Sequence, residues 1–231
     1  MLFQLGALAN NPRLFVVVAL ALAISLLIGL SFHEFCHALA ADLLGDRLPR
    51  AEGRLTLNPA AHLDPMGALF MVLAGFGWGK PVRFNPFRLR VSPALGVVLV
   101  KLAGPLSNFV IAGALAAPIK AGLLQVAPEL LLNRWTIENY IGYFLLWVVI
   151  INISLGVFNL LPFPPLDGGG IAVILPGPVG DFFRRMESER WGFAVLMLLV
   201  FLPTLTGGRV DPIGAVTRPV RGFLIDLFLR G

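Results

Sequence analysis

Charge is what this chain has least of. Only 13% of its 231 residues are charged and 57% are hydrophobic. A soluble domain of this length carries nearer a quarter charged residues, so that class is excluded. Cysteine is almost missing: Cys36 stands alone, which excludes an intramolecular disulfide. Histidine occurs three times, so two falling together carry weight. Basic residues exceed acidic ones by five. Here that excess reads as the loop bias of a membrane protein rather than a nucleic-acid footprint, and no nucleic-acid partner is expected. Repeats and low-complexity tracts are also lacking.

Long uncharged runs are what the chain has in plenty. Residues 14–32, "LFVVVALALAISLLIGLSF", are about long enough to cross a bilayer. Further apolar runs cover 94–118, 139–163 and 193–206. The fold class expected is an all-α polytopic membrane protein with a three-helix transmembrane core. The first run does not read as a cleavable signal peptide, because helix-compatible sequence continues through it to Asp42. One helix is expected over 14–44, with Gly29 its only interior glycine and Gly45 a stop. His33 then lies roughly 28 Å along from Leu14, toward the far side of the membrane.

Between the first two firm spans the chain turns polar. The alternation in "GRLTLN" (53–58) predicts a short strand, the small cytoplasmic β element of the expected fold. Residues 66–79 are apolar but short and glycine-ended, which fits a re-entrant or interfacial segment. The third span runs into "NLLPFPPLDGGG" (159–170), where prolines and glycines forbid regular helix. One transmembrane domain is expected over 1–206, followed by a tail or amphipathic helix over 207–231. Seven Lys and Arg residues lie in 45–90, against Lys120 and Arg134 in 119–138. The positive-inside bias puts 45–90 in the cytoplasm and the N-terminus outside, with the path after residue 192 open.

The chemistry concentrates in "SFHEFCHALAADLLGD" (31–46). His33 and His37 are four apart on a helix, so their rings share a face and suit one zinc ion. Glu34 beside them can reach a metal-bound water without being a ligand, the arrangement H-E-x-x-H needs for hydrolysis. The bland alternative is interhelical packing of three polar groups, but ionisable residues at membrane depth are expensive and usually functional.

A catalytic zinc needs a third protein ligand. Leu43 occupies the position at which a metzincin would place another histidine. The remaining candidates are His62, Asp42, Asp46, Glu52, Asp64 and Asp167. Asp42 points away from the histidine pair, and Glu52 and Asp64 sit in the polar loop. Asp167 follows a span at a glycine-flanked break, where irregular backbone at membrane depth implies a cavity or a protein-buried site. It is the chosen third ligand, with a solvated turn aspartate as the alternative. Asn159, at the end of the same span, is a candidate for binding substrate backbone or an oxyanion, or for an interhelical hydrogen bond. Cys36 reads as a small packing residue.

The segments "HEFCHA" (33–38) and "NLLPFPPLDGG" (159–169) resemble the two signature motifs of the site-2 protease family of intramembrane zinc metalloproteases. "GRLTLNPAAHLDPMG" (53–67), "GWGKPVRFNP" (77–86) and "LAGPLSNF" (102–109) resemble pieces of its short prokaryotic members, without PDZ or CBS domains. The resemblance implies one zinc per chain held by His33, His37 and Asp167, with Glu34 catalytic and Asn159 involved in substrate handling. It implies transmembrane-protein substrates, a lipid surround, a prokaryotic inner-membrane location and a site toward the cytoplasm. A catalytically silent homologue and a metal-ion transporter are the competing readings.

Overall fold

The computed structural model describes residues 12–67, 78–124, 126, 136–189 and 191–229. Helix α1 spans Pro12–Leu43. Its 32 residues measure about 48 Å at 1.5 Å per residue, longer than the ~30 Å hydrocarbon core. The expected single helix is present with one change. Its turn at Ser25–Gly29 widens to the π form, one turn before His33. Gly29 allows a close approach there, since a Cβ would stand 2.8 Å from Oδ1 of Asn152. Gly45, at φ 115°, ends the helix as expected.

Two four-residue helices follow, α2 (Leu48–Ala51) and α3 (Pro59–His62). The strand expected over 53–58 does not form. Gly53 turns the chain at φ 69°, and Asn58 caps α3 by accepting from the Ala60 N–H at 3.1 Å. Too few residues remain between these two devices to build a ladder. Among the described residues β pairing shrinks to one antiparallel bridge, Leu63 with Gly79. The re-entrant expectation for 66–79 falls mostly on residues 68–77, outside the described residues.

Helix α4 (Pro93–Lys120) starts with Pro93 behind a Ser92 cap and continues through Pro105 and Pro118. Helix α5 (Ile137–Asn159) opens with a capping box between Thr136 and Asn139. It stops at Asn159 rather than 163, because Pro162, Pro164 and Pro165 deny the backbone its donors. The short α6 (Asp167–Ala172) follows, then α7 (Gly177–Ser188), α8 (Trp191–Leu205) and α9 (Pro212–Leu229). The 15-residue α8 is about 22 Å long, too short to span as one helix.

Helices α1, α4 and α5 are long and apolar enough to cross a membrane. Leu14, Val18 and Tyr143, with Ala21, Val148 and Ile151, join α1 to α5. Ala112, Ala116, Val149, Ile153 and Val157 join α4 to α5, and α9 lays Leu224, Ile225 and Phe228 over that seam. The outer faces stay apolar: Phe15, Val16, Leu20, Leu99, Val110 and Ile137 are all exposed. A surface of that kind suits lipid, not water. The protein is an all-α polytopic membrane protein.

Candidate metal centre

Helix α1 carries His33 and His37 on its buried face, and their ring centroids lie 4.6 Å apart. The broken segment after α5 returns the chain to them. Each glycine of "DGGG" clears a specific approach. A Cβ on Gly168 would strike the Leu160 carbonyl, and one on Gly169 would strike the Phe163–Pro164 backbone. With those two positions bare, Asp167 at the start of α6 reaches the histidines. Its Oδ2 lies 2.9 Å from His33 Nε2 and 3.1 Å from His37 Nε2. One ligand atom from each of the three residues falls within 4.8 Å of the others, and all three residues are buried.

The far sides of the rings decide which nitrogens are free. His37 Nδ1 donates to the Val100 carbonyl at 2.6 Å. His33 Nδ1 lies 2.7 Å from Asn108 Oδ1. Asn108 turns its Nδ2 to the Gly29 carbonyl and to Asn152 Oδ1, so its own Oδ1 must accept from His33. When neutral, as metal binding requires, both rings therefore carry their proton on Nδ1 and present an Nε2 lone pair toward Asp167. Two lone pairs and a carboxylate oxygen converge with no donor between them, and a cation satisfies all three. Two imidazoles and one carboxylate form a set that suits zinc. Gly104 leaves the space, because a Cβ there would stand 2.6 Å from His33 Nε2 and closer still to His37 Nε2.

Glu34 points into the same cavity, which measures about 920 Å³ and is lined mainly by apolar side chains. The residue is 8% exposed, and its Oε2 has no hydrogen-bond partner among the described residues. A buried carboxylate oxygen left open is costly unless water or substrate meets it. A strap of residues 78–82 runs beside it: Trp78, Pro81 and Val82 line the same cavity, and a Cβ on Gly79 would stand 3.3 Å from Oε1. Buried Arg54 holds that strap by donating to the carbonyls of Ala61, Lys80 and Pro81.

The other candidate ligands are engaged elsewhere. Asp42 pairs with Arg50 at 2.7 Å and Glu52 with Arg83 at 2.7 Å. Asp46 accepts from the Asn85 and Leu48 N–H groups, Asp64 from Gly67, and His62 Nε2 faces the Thr56 carbonyl. Asn159 lines the cavity, but its Nδ2 donates to the Leu155 carbonyl of its own helix at 3.0 Å. That bond lies within α5 and is not the interhelical one.

Reading the sequence missed Lys101, whose Nζ lies 3.2 Å from Asp167 Oδ1. It also missed Asn108, Asn152 and Gly104. A signal existed. Lys101 is the only charge in the apolar run 94–118, and Lys101, Gly104 and Asn108 follow helical i, i+3, i+7 spacing.

The family model described as Peptidase family M50 matches residues 21–203. The chain is 37% identical over 203 residues to the Bacillus subtilis protein named "Putative zinc metalloprotease YwhC", covering 81% of this chain and 87% of that one. It is 29% identical over 199 residues to "Putative zinc metalloprotease Rip2" of Mycolicibacterium smegmatis, covering 84% and 72% of the two chains. It is also similar to "Protease RseP" of Photorhabdus luminescens, at 27% identity over 177 residues, with 67% and 77% covered. No solved structure matches the chain.

Proposed function

This chain belongs to peptidase family M50, the site-2 proteases, and is a membrane zinc metalloprotease; from that premise we propose that it hydrolyses peptide bonds within or beside transmembrane helices of other proteins. The observation that carries the reading is the convergence of His33, His37 and Asp167 inside a lipid-facing helix bundle, with the open carboxylate of Glu34 in the same cavity.

His33, His37 and Asp167 are the zinc ligands, and Glu34 is the general base. Zinc held there would supply Lewis acidity and lower the pKa of a bound water toward neutrality. Glu34 takes the water proton and delivers it to the leaving amide nitrogen, a shuttle that its unpartnered Oε2 leaves it free to perform. Asn108 and the Val100 carbonyl keep both rings in the tautomer this requires. Asn159 contributes to the site once it releases its bond to Leu155, offering its amide to substrate backbone.

A helical substrate must unwind before its carbonyl can be attacked. The segment 82–85 offers an edge for the unwound strand: Val82 and Phe84 line the cavity, and these residues belong to no strand or helix. The basic excess of 45–90 supports a cytoplasmic mouth in a prokaryotic inner membrane.

The test uses purified protein and a single-span substrate in vesicles. Chelation should abolish cleavage and added zinc restore it. Glu34→Gln should retain zinc and lose cleavage. Cleavage that survives Glu34→Gln would overturn the proposal. Val82→Pro, which removes one edge donor, should impair cleavage of helical substrates while metal content stays unchanged. Equal loss of both would remove the edge from the account.

A further inference from the structure

Helix α4 contributes no ligand to the metal centre, yet it touches all three. The Val100 carbonyl orients His37, Asn108 orients His33, and Lys101 meets Asp167. We infer that Lys101 is a positioning residue that restricts Asp167 to one-oxygen coordination, so that the fourth position on the metal stays open. This inference rests on the zinc-site reading above.

The two oxygens of Asp167 have separate surroundings. Oδ2 faces both Nε2 atoms, while Oδ1 lies 3.2 Å from Lys101 Nζ. A carboxylate with both oxygens free can rotate and chelate, and the second oxygen would then add a fifth contact that crowds the position a hydrolytic site keeps for water. An ammonium on Oδ1 blocks that rotation with a charge-assisted hydrogen bond.

The lysine has a seat built for it. A Cβ on Gly170 would stand 2.8 Å from Lys101 Cε and 3.3 Å from its Cδ. Thus the third glycine of "DGGG" has a different task from the first two: it clears a channel for the aliphatic stem. The Lys101 side chain is 25% exposed, and the nearest charges along the chain are Arg90 and Lys120. A cation placed alone in an apolar span is costly. Pairing with a carboxylate that is itself committed to a metal offsets that cost and fixes the geometry of both groups.

The experiment replaces the metal with Co2+ in the full-length protein in detergent and reads the visible d–d band, which is strong for four-coordinate and weak for five-coordinate cobalt. X-ray absorption of the zinc form counts oxygen neighbours in parallel. Wild type should show the strong band. Lys101→Met should show the weak band, one additional metal–oxygen contact, and kcat lowered roughly 10- to 100-fold with KM unchanged. Lys101→Arg should recover the strong band. Gly170→Val, which fills the seat and leaves the lysine in the chain, should shift the spectrum in the direction of Lys101→Met. A Lys101→Met spectrum identical to wild type overturns the inference. A wild-type site already bound through both Asp167 oxygens overturns it without any variant, so a poorly folding mutant does not shield it. The underlying zinc-site reading fails separately, if Asp167→Asn still binds cobalt with the wild-type spectrum.

Discussion

The two halves of α1, on either side of its π turn, are buried in different ways. Before the turn, Leu14, Val18 and Ala21 pack in apolar clusters with residues of α5. Beyond it, the buried residues include Ser31, His33, Glu34 and His37, and the two rings meet Asp167, Asn108 and the Val100 carbonyl. Inside a membrane the first kind of contact gains little from leaving solvent, because lipid tails are as apolar as a leucine. Close packing holds those helices together. The second kind is held by specific pairings, and each one restricts where its neighbour can stand. One helix therefore joins a tolerant region to an exacting one, and the wide turn lies between them.

The largest effect should come from the exacting half. Glu34→Gln is expected to lower cleavage by roughly 10²- to 10⁴-fold, with zinc content and thermal stability in detergent unchanged. If zinc is lost as well, Glu34 belongs to the packing and not to proton transfer. Next in size is Asn108→Leu, which frees His33 Nδ1 and should weaken zinc binding roughly 10- to 100-fold in chelator competition. An unchanged affinity would show that the ring needs no fixed tautomer. In the tolerant half, Leu14→Ala should lower the melting temperature, by an amount corresponding to roughly 2–5 kcal/mol if the cavity does not collapse. Zinc affinity should not move. A matching loss of zinc would mean that packing defects travel across the π turn and that the halves are not independent. Smallest of all, Val16→Leu on the outer apolar face should alter neither melting temperature nor cleavage, because that residue is 52% exposed and belongs to no buried cluster.

The same contrast explains what could be read in the chain. Spans are legible because apolar length is a local property, and α1, α4 and α5 follow the expected runs closely. His33 and His37 are legible because four residues make one helical turn. Asp167 stands out as a rare charge at a broken helix. The strand over 53–58 was misread, since alternation alone does not reveal that Gly53 and Asn58 punctuate the segment or that Arg54 is drawn to the carbonyls of a strap beyond it. Lys101 and Asn108 were passed over within a long apolar run, although their spacing on α4 puts them on one face.

Sequence by itself determined that the chain lives in a membrane, over which stretches its three long helices run, and which two rings share a face. Each of these follows from composition or from a repeat a few residues long. Only the tertiary structure decided which oxygen of Asp167 meets the rings, which nitrogen of each ring is free, and that α4, without a ligand of its own, orients all three. Those choices depend on contacts between residues 63 to 134 positions apart, and no local pattern encodes how distant groups turn toward one another.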